Sequence, residues 1–225
     1  MADWAIPAQE NAYRSSAPSD LEALALADEA SRVLCDLIQE VKIPPAEEEV
    51  TPTQARRHAI WFLGIVAFRG IRAAMATFSA GYEEQALGYL RLIEETHTRA
   101  QAIRKDQSGE VARKWLAGIN VGKGSKLVGQ EYWEWLSGPH HANARAVLDW
   151  LAISQPDGST RVRIGPERRP DMTNPTLTIM AGECRDVANL LALETELPLD
   201  LRALDAKIKT AMATHVPDPE NDHST

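Results

Sequence analysis

"TPTQARRHAIWFLGIVAFRGIRAAMATFS", Thr51–Ser79, is the stretch that decides the fold. Thr51-Pro52-Thr53-Gln54 is a capping box with proline at the first helical position, a combination that satisfies the free N–H groups of a helix start. Beyond it Ile60, Leu63, Ala67, Ile71, Ala74 and Phe78 recur at 3.6-residue spacing, which predicts one continuous helix through about Ser79 with these side chains in the core. The other side carries His58, Trp61, Phe62 and Ile65 beside Arg69 and Arg72. A helix that is apolar on two sides belongs at the centre of a bundle, and its arginines must reach solvent or meet carboxylates. The longest unbroken apolar run, Ala59–Phe68, is too short to cross a bilayer, so membrane insertion is not expected.

Working outward, "SAGY" breaks the pattern at Gly81, and a third helix is expected from Glu83 to Lys105. On the N-terminal side Ser19-Asp20-Leu21-Glu22 is a second capping box. It opens a helix to about Lys42, which "IPPAEEEV" then stops. Shorter helices are expected at 109–119, 124–137 and 139–152, and two more at 175–195 and 199–214. Between them lies a loop at 153–171, in which "RVRI", Arg161–Ile164, makes at most a short edge hairpin. The architecture expected is an all-α helical bundle with a long central helical hairpin, 51–79 and 83–105, and a long Arg-containing loop. Residues 1–17 read as a disordered leader, 18–214 as a single helical-bundle domain and 215–225 as a disordered tail.

Charge narrows the partners. With 32 acidic against 24 basic residues the net charge is −8, so the summed field repels duplex DNA unless positive charge is concentrated locally. Cys35 and Cys184 form neither a disulfide framework nor a zinc pattern, and no secretory signal stands at the N-terminus. A reduced, cytoplasmic setting is expected, with no cofactor.

Chemistry could sit in three places. In "WLSGPHHANA", Trp135–Ala144, Gly138 fits a helix C-cap and Pro139 the first turn of the next helix. His140 and His141 then stand at a helix N-terminus, whose positive dipole end favours neutral imidazoles able to act as base, ligand or hydrogen-bond partner. In "LGYLRLIEETHTRA" the stripe Ala86, Leu90, Ile93, His97 and Ala100 puts His97 on the core side, with Glu94 one turn earlier near the same edge. Arg91 can meet Glu94 or Glu95 on its own helix. The third place is "SQPDGSTRVRIGPERRPDM", whose Arg161, Arg163, Arg168 and Arg169 could bind phosphate or pair with acidic surfaces of the same chain.

Other patterns fail on spacing. Glu94-x-x-His97 matches the ligand pair of carboxylate-bridged di-iron bundles, but its only other copy is Glu220-x-x-His223 in the tail, leaving half the ligands missing. "GINVGKGSK", Gly118–Lys126, lacks the spacing and the preceding strand of a phosphate-binding loop. Cys184, in "AGECRDVANLL", reads as a buried small side chain.

The chain resembles an uncharacterised all-helical bacterial domain family. "YLRLIEE", Tyr89–Glu95, matches that family's "LLRSLLE"-like helix core, and "YWEWLSGPHH", Tyr132–His141, its "Y..LS..H"-like helix junction. The family is loosely similar to HEPN-type bundles, and Arg91 and His97 fall within the Arg-x4–6-His pattern of HEPN ribonucleases. The resemblance implies a bundle in which Arg91, Glu94 and one of His140 or His141 approach each other near one end, and which dimerises and acts in RNA cleavage or phage defence. In that reading a histidine is the acid or base, an arginine stabilises phosphate charge and the glutamate orients its partner. The alternatives are a non-enzymatic dimerising or partner-binding module that keeps these residues as a buried network, and a metal site on His140 and His141.

Overall fold

The computed structural model describes residues 21–42, 50–119, 152–154, 160–162 and 170–216. Six helices and one ribbon lie within them: α1 Leu21–Glu40, α2 Pro52–Ser79, α3 Glu83–Lys105, α4 Glu110–Leu116, β1 Ala152–Ser154, β2 Thr160–Val162, α5 Pro170–Thr195 and α6 Arg202–His215. The all-α expectation holds. His140, His141, Arg163, Arg168, Arg169, the helix expected at 124–137, all but the last residue of the one expected at 139–152, and the leader lie outside the described residues, as do all but the first residues of the expected tail; of Arg161 only the backbone is described.

Helix α2 starts as its sequence dictates. Gln54 N–H donates to Thr51 Oγ1 at 3.2 Å, and Thr51 N–H donates to the Gln54 side-chain oxygen at 2.8 Å. It ends in a Schellman turn, with Tyr82 N–H reaching Thr77 O and Gly81 N–H reaching Phe78 O, while Gly81 takes the left-handed φ of 84° that glycine permits. The turn reverses the chain into α3, and the two helices pack as the central hairpin. Ile60, Leu63, Ala67, Ile71, Ala74 and Phe78 are all buried, and so is the α3 stripe Ala86, Leu90, Ile93, His97 and Ala100.

The core closes around this hairpin. α1 supplies Ala27, Ala30 and Leu34, and α5 supplies Leu177, Met180, Ala181, Cys184, Ala188 and Leu191. Small residues let the helices approach closely: a Cβ at Gly70 of α2 would stand 3.0 Å from Ile93 of α3. By length and composition α2 could cross a membrane, with mean hydropathy 1.5 over its most apolar window; in the fold it packs against α1, α3, α4 and α5, and 44% of that window is buried. Its second apolar side is only partly covered, with Phe62 46% exposed and stacked edge-on against Trp61. Of its arginines, Arg72 meets Asp28 of α1.

Two boundaries differ from the sequence reading. α5 begins at Pro170 and not at Pro175, which lies inside it. Part of the expected 153–171 loop is a two-stranded antiparallel ribbon, with Ile153 opposite Arg161, so Ala152 pairs as a strand residue and does not end a helix. α6, the last helix, inserts only Leu204 and Ile208 into the core. Ala211 packs at the core's edge, and two ion pairs add to the contact, Lys207 to Glu29 at 2.7 Å and Asp205 to Arg185 at 3.3 Å.

Candidate functional site

Helix α3 sorts its polar residues onto two sides. Arg91 and His97 are six residues apart, about 120° around the axis, so one helix cannot aim both at a single point. Arg91 Nε contacts Glu95 Oε1 at 3.2 Å, and Arg99 contacts Oε2 of the same carboxylate at 3.2 Å, forming a ladder at i, i+4 and i+8. Arg91 and Glu95 line an open groove of about 630 Å³ with Thr77, Gln85, Gly88, Tyr89 and Leu92. Of the two carboxylates open to Arg91 in the sequence, Glu95 is the one it meets.

Glu94 and His97 turn the other way, into the seam between α3 and α5. His97 is 4% exposed and its Nδ1 hydrogen-bonds Glu183 of α5. The amide of Gln101, one turn further along α3, lies 2.9 Å from His97 Nε2. An amide NH2 can only donate, so Nε2 accepts and the ring proton sits on Nδ1, donated to the Glu183 carboxylate. Glu94 is fully buried, and neither of its oxygens has a hydrogen-bond partner among the described residues. Burial first, then the neighbouring Glu183 and Glu95 carboxylates, pushes its pKa up to about 8. Burial also holds Asp186, one turn beyond Glu183, above the ordinary carboxylate range, although Arg185 and His97 pull it down.

Beside the seam lies a cavity that Gln101 borders and that His97, Glu94 and Glu183 do not line. Gln101 forms part of the wall of a space of about 650 Å³ whose other walls are Arg56, Arg104, Lys105, Gln107, Leu190 and Glu194. Three cations against one carboxylate make this a local concentration of positive charge in a chain of net charge −8. Arg56 is fixed in place: Nε contacts Glu194 Oε1 at 2.9 Å, Nη1 donates to Gln107 O at 3.0 Å and Nη2 to Thr53 Oγ1 at 3.3 Å.

No family profile, no curated protein and no solved structure matches the chain.

Among the described residues no three His, Cys, Asp or Glu side chains are placed to hold a metal ion. Cys184 is fully buried, its thiol pushed far above its usual range by burial, so it stays a protonated packing group. Of the sequence candidates, the structure gathers Glu94 and His97 in one seam and sets Arg91 on the far side of the helix. Sequence reasoning missed Glu183, Gln101 and Arg56. One signal was present: Glu183-x-x-Asp186 repeats on α5 the i, i+3 spacing of Glu94-x-x-His97 on α3.

Proposed function

We propose that this chain is a HEPN-like helical-bundle protein that acts on RNA at the cavity beside the α3–α5 seam. One arrangement carries the reading: Glu183 accepts the Nδ1 proton of His97, leaving Nε2 basic and facing Gln101, a wall of the cation-lined cavity. Histidine as acid or base, an orienting carboxylate and cations for phosphate charge are the parts that phosphodiester cleavage by a ribose hydroxyl requires. In this reading Glu183 takes the orienting role expected of Glu94, and Arg104 and Lys105 take the phosphate role expected of Arg91. Nε2 becomes available when the Gln101 amide swings aside, and the cavity has the size of a nucleotide-binding pocket. His140, His141, Arg161, Arg163, Arg168 and Arg169 enter this reading through the resemblance alone. The reading places the protein in a reducing cytoplasm, where Cys35 and Cys184 remain thiols.

The test is cleavage of labelled single-stranded RNA by the purified full chain. His97→Ala should abolish it, and Glu183→Gln should lower kcat by about 100-fold, the low end of what an oriented acid or base supplies. The double change Arg104→Ala with Lys105→Ala should raise KM and flatten its dependence on salt, since fewer counterions are released on binding. Wild-type protein that leaves RNA intact, or full activity in His97→Ala, overturns the proposal.

A second reading is favoured by the burial of His97, whose two ring nitrogens are both satisfied inside the protein. There the seam is a structural network in a non-enzymatic module that dimerises or binds a partner. A melting temperature several degrees lower in His97→Ala, with no activity in the wild type, selects this reading. Sedimentation of Phe62→Glu beside the wild type tests dimerisation through the exposed α2 face: a dimeric wild type and a monomeric variant are expected.

A further inference from the structure

Glu94 has a property that neither reading uses. Its side chain sits in the core with neither oxygen partnered among the described residues, and the carboxyl facing it across the seam, Glu183, is already engaged by His97. A buried carboxylate without a partner is far less stable than the same group carrying its proton. The ionised neighbours acting on it are Glu183 from α5 and Glu95 from its own helix, both repulsive to a charged Glu94. Further along the seam stand Asp186, and Arg185, which pairs with Asp186 and with Asp205 of α6. From α2, Gly70 packs against Ile93 and Leu92 at this turn, and no α2 charge is among the groups that shift Glu94.

We propose that Glu94 is a proton-operated latch on the α3–α5 seam: with its proton it is a neutral filler of the core, and without it, it repels Glu183 and drives the two helices apart. This device is independent of any RNA chemistry. The pH at which it works follows from the titration: Glu94 ionises near 4.5 when solvated and at about 8 in the closed seam. Between those values the closed form holds a proton that the open form releases, so the closed form loses stability as pH rises from 4.5 and the loss levels off above 8. The latch is firm in mildly acidic conditions and slack in mildly alkaline ones.

The experiment is thermal melting of the full chain, with amide hydrogen exchange of α3 and α5 corrected for intrinsic rate, at pH values from 5.5 to 8.5. Wild-type melting should fall by about 10 °C over this range, with exchange protection lost first around Glu94 and Glu183. Glu94→Gln, neutral at every pH, should lose most of that fall, and all other ionisable groups of the seam are unchanged in it. If Glu94→Gln does not fold, a carbon-13 carboxyl titration of the wild type reads the same quantity, with the Glu94 signal moving near pH 8. A slope equal to wild type in Glu94→Gln, or a Glu94 signal that moves near pH 4.5, overturns the latch.

Discussion

Replacing Arg56 by alanine should lower the stability of the fold by about 3–5 kcal/mol, roughly 10 °C in melting temperature for a chain of this size. The side chains of Arg56 and Glu194 are only 9% and 8% exposed, so both charges have left water and each depends on the other. Removing the guanidinium leaves the mostly buried Glu194 carboxylate without its ion-pair partner. It also frees Gln107 O and Thr53 Oγ1, which hold the α3–α4 turn and the first turn of α2. The double change Arg56→Met with Glu194→Leu should recover most of the loss, because an apolar pair of similar volume leaves no charge behind. Exposed pairs give the scale against which this is judged: Arg202 and Asp200 are 90% and 62% exposed, and Asp200→Ala should leave the stability nearly unchanged. Equal small losses at both sites, measured by chemical denaturation, would show that the Arg56 pair is not a buried one.

The second large effect is expected at Gly109. Its φ is +71°, and a Cβ there would stand 2.7 Å from the Cα of Pro52 and 2.9 Å from its carbonyl oxygen. Those are backbone atoms at the start of α2, and no rotamer change can move them aside. Gly109→Ala therefore combines the left-handed backbone penalty of about 1–2 kcal/mol with a steric clash, for a total of about 3 kcal/mol or more. Gly118 separates the two contributions. Its φ is +80°, yet nothing among the described residues lies within 4 Å of a Cβ placed there, so Gly118→Ala should show the backbone penalty alone. Identical losses in the two variants would mean that the approach of Pro52 to the α3–α4 turn carries no weight.

The helices were legible because burial imposes a 3.6-residue period on each of them separately. Ile60 through Phe78 and Ala86 through Ala100 could be sorted to the core with no knowledge of their neighbours. The site resisted for the complementary reason. Periodicity says which way a side chain points and nothing about what faces it. His97 was readable as core-facing, but Glu183 is 86 residues away on α5, and only packing brings it into contact. Likewise Arg56 finds Glu194 across 138 residues, a pairing that no local rule contains. Where the pairing is local the sequence does better: Arg91 had two acidic options on its own helix and took the one at i+4. Pro175 reads locally as a helix start because its ring suits the first turn, yet it lies inside α5, a placement its own rigidity does not exclude.

The Schellman turn at Gly81 bears on the order in which the molecule assembles. It joins the two long central helices through a reversal of three residues, so their contacts close over short stretches of chain and carry little loop-closure entropy. The clasp between Arg56 and Glu194 must instead wait for more than half the polypeptide to be gathered. Folding would thus nucleate at the α2–α3 hairpin and finish at that clasp. Weakening the turn at Gly81 would slow refolding, whereas weakening the clasp would speed unfolding and leave the refolding rate nearly untouched.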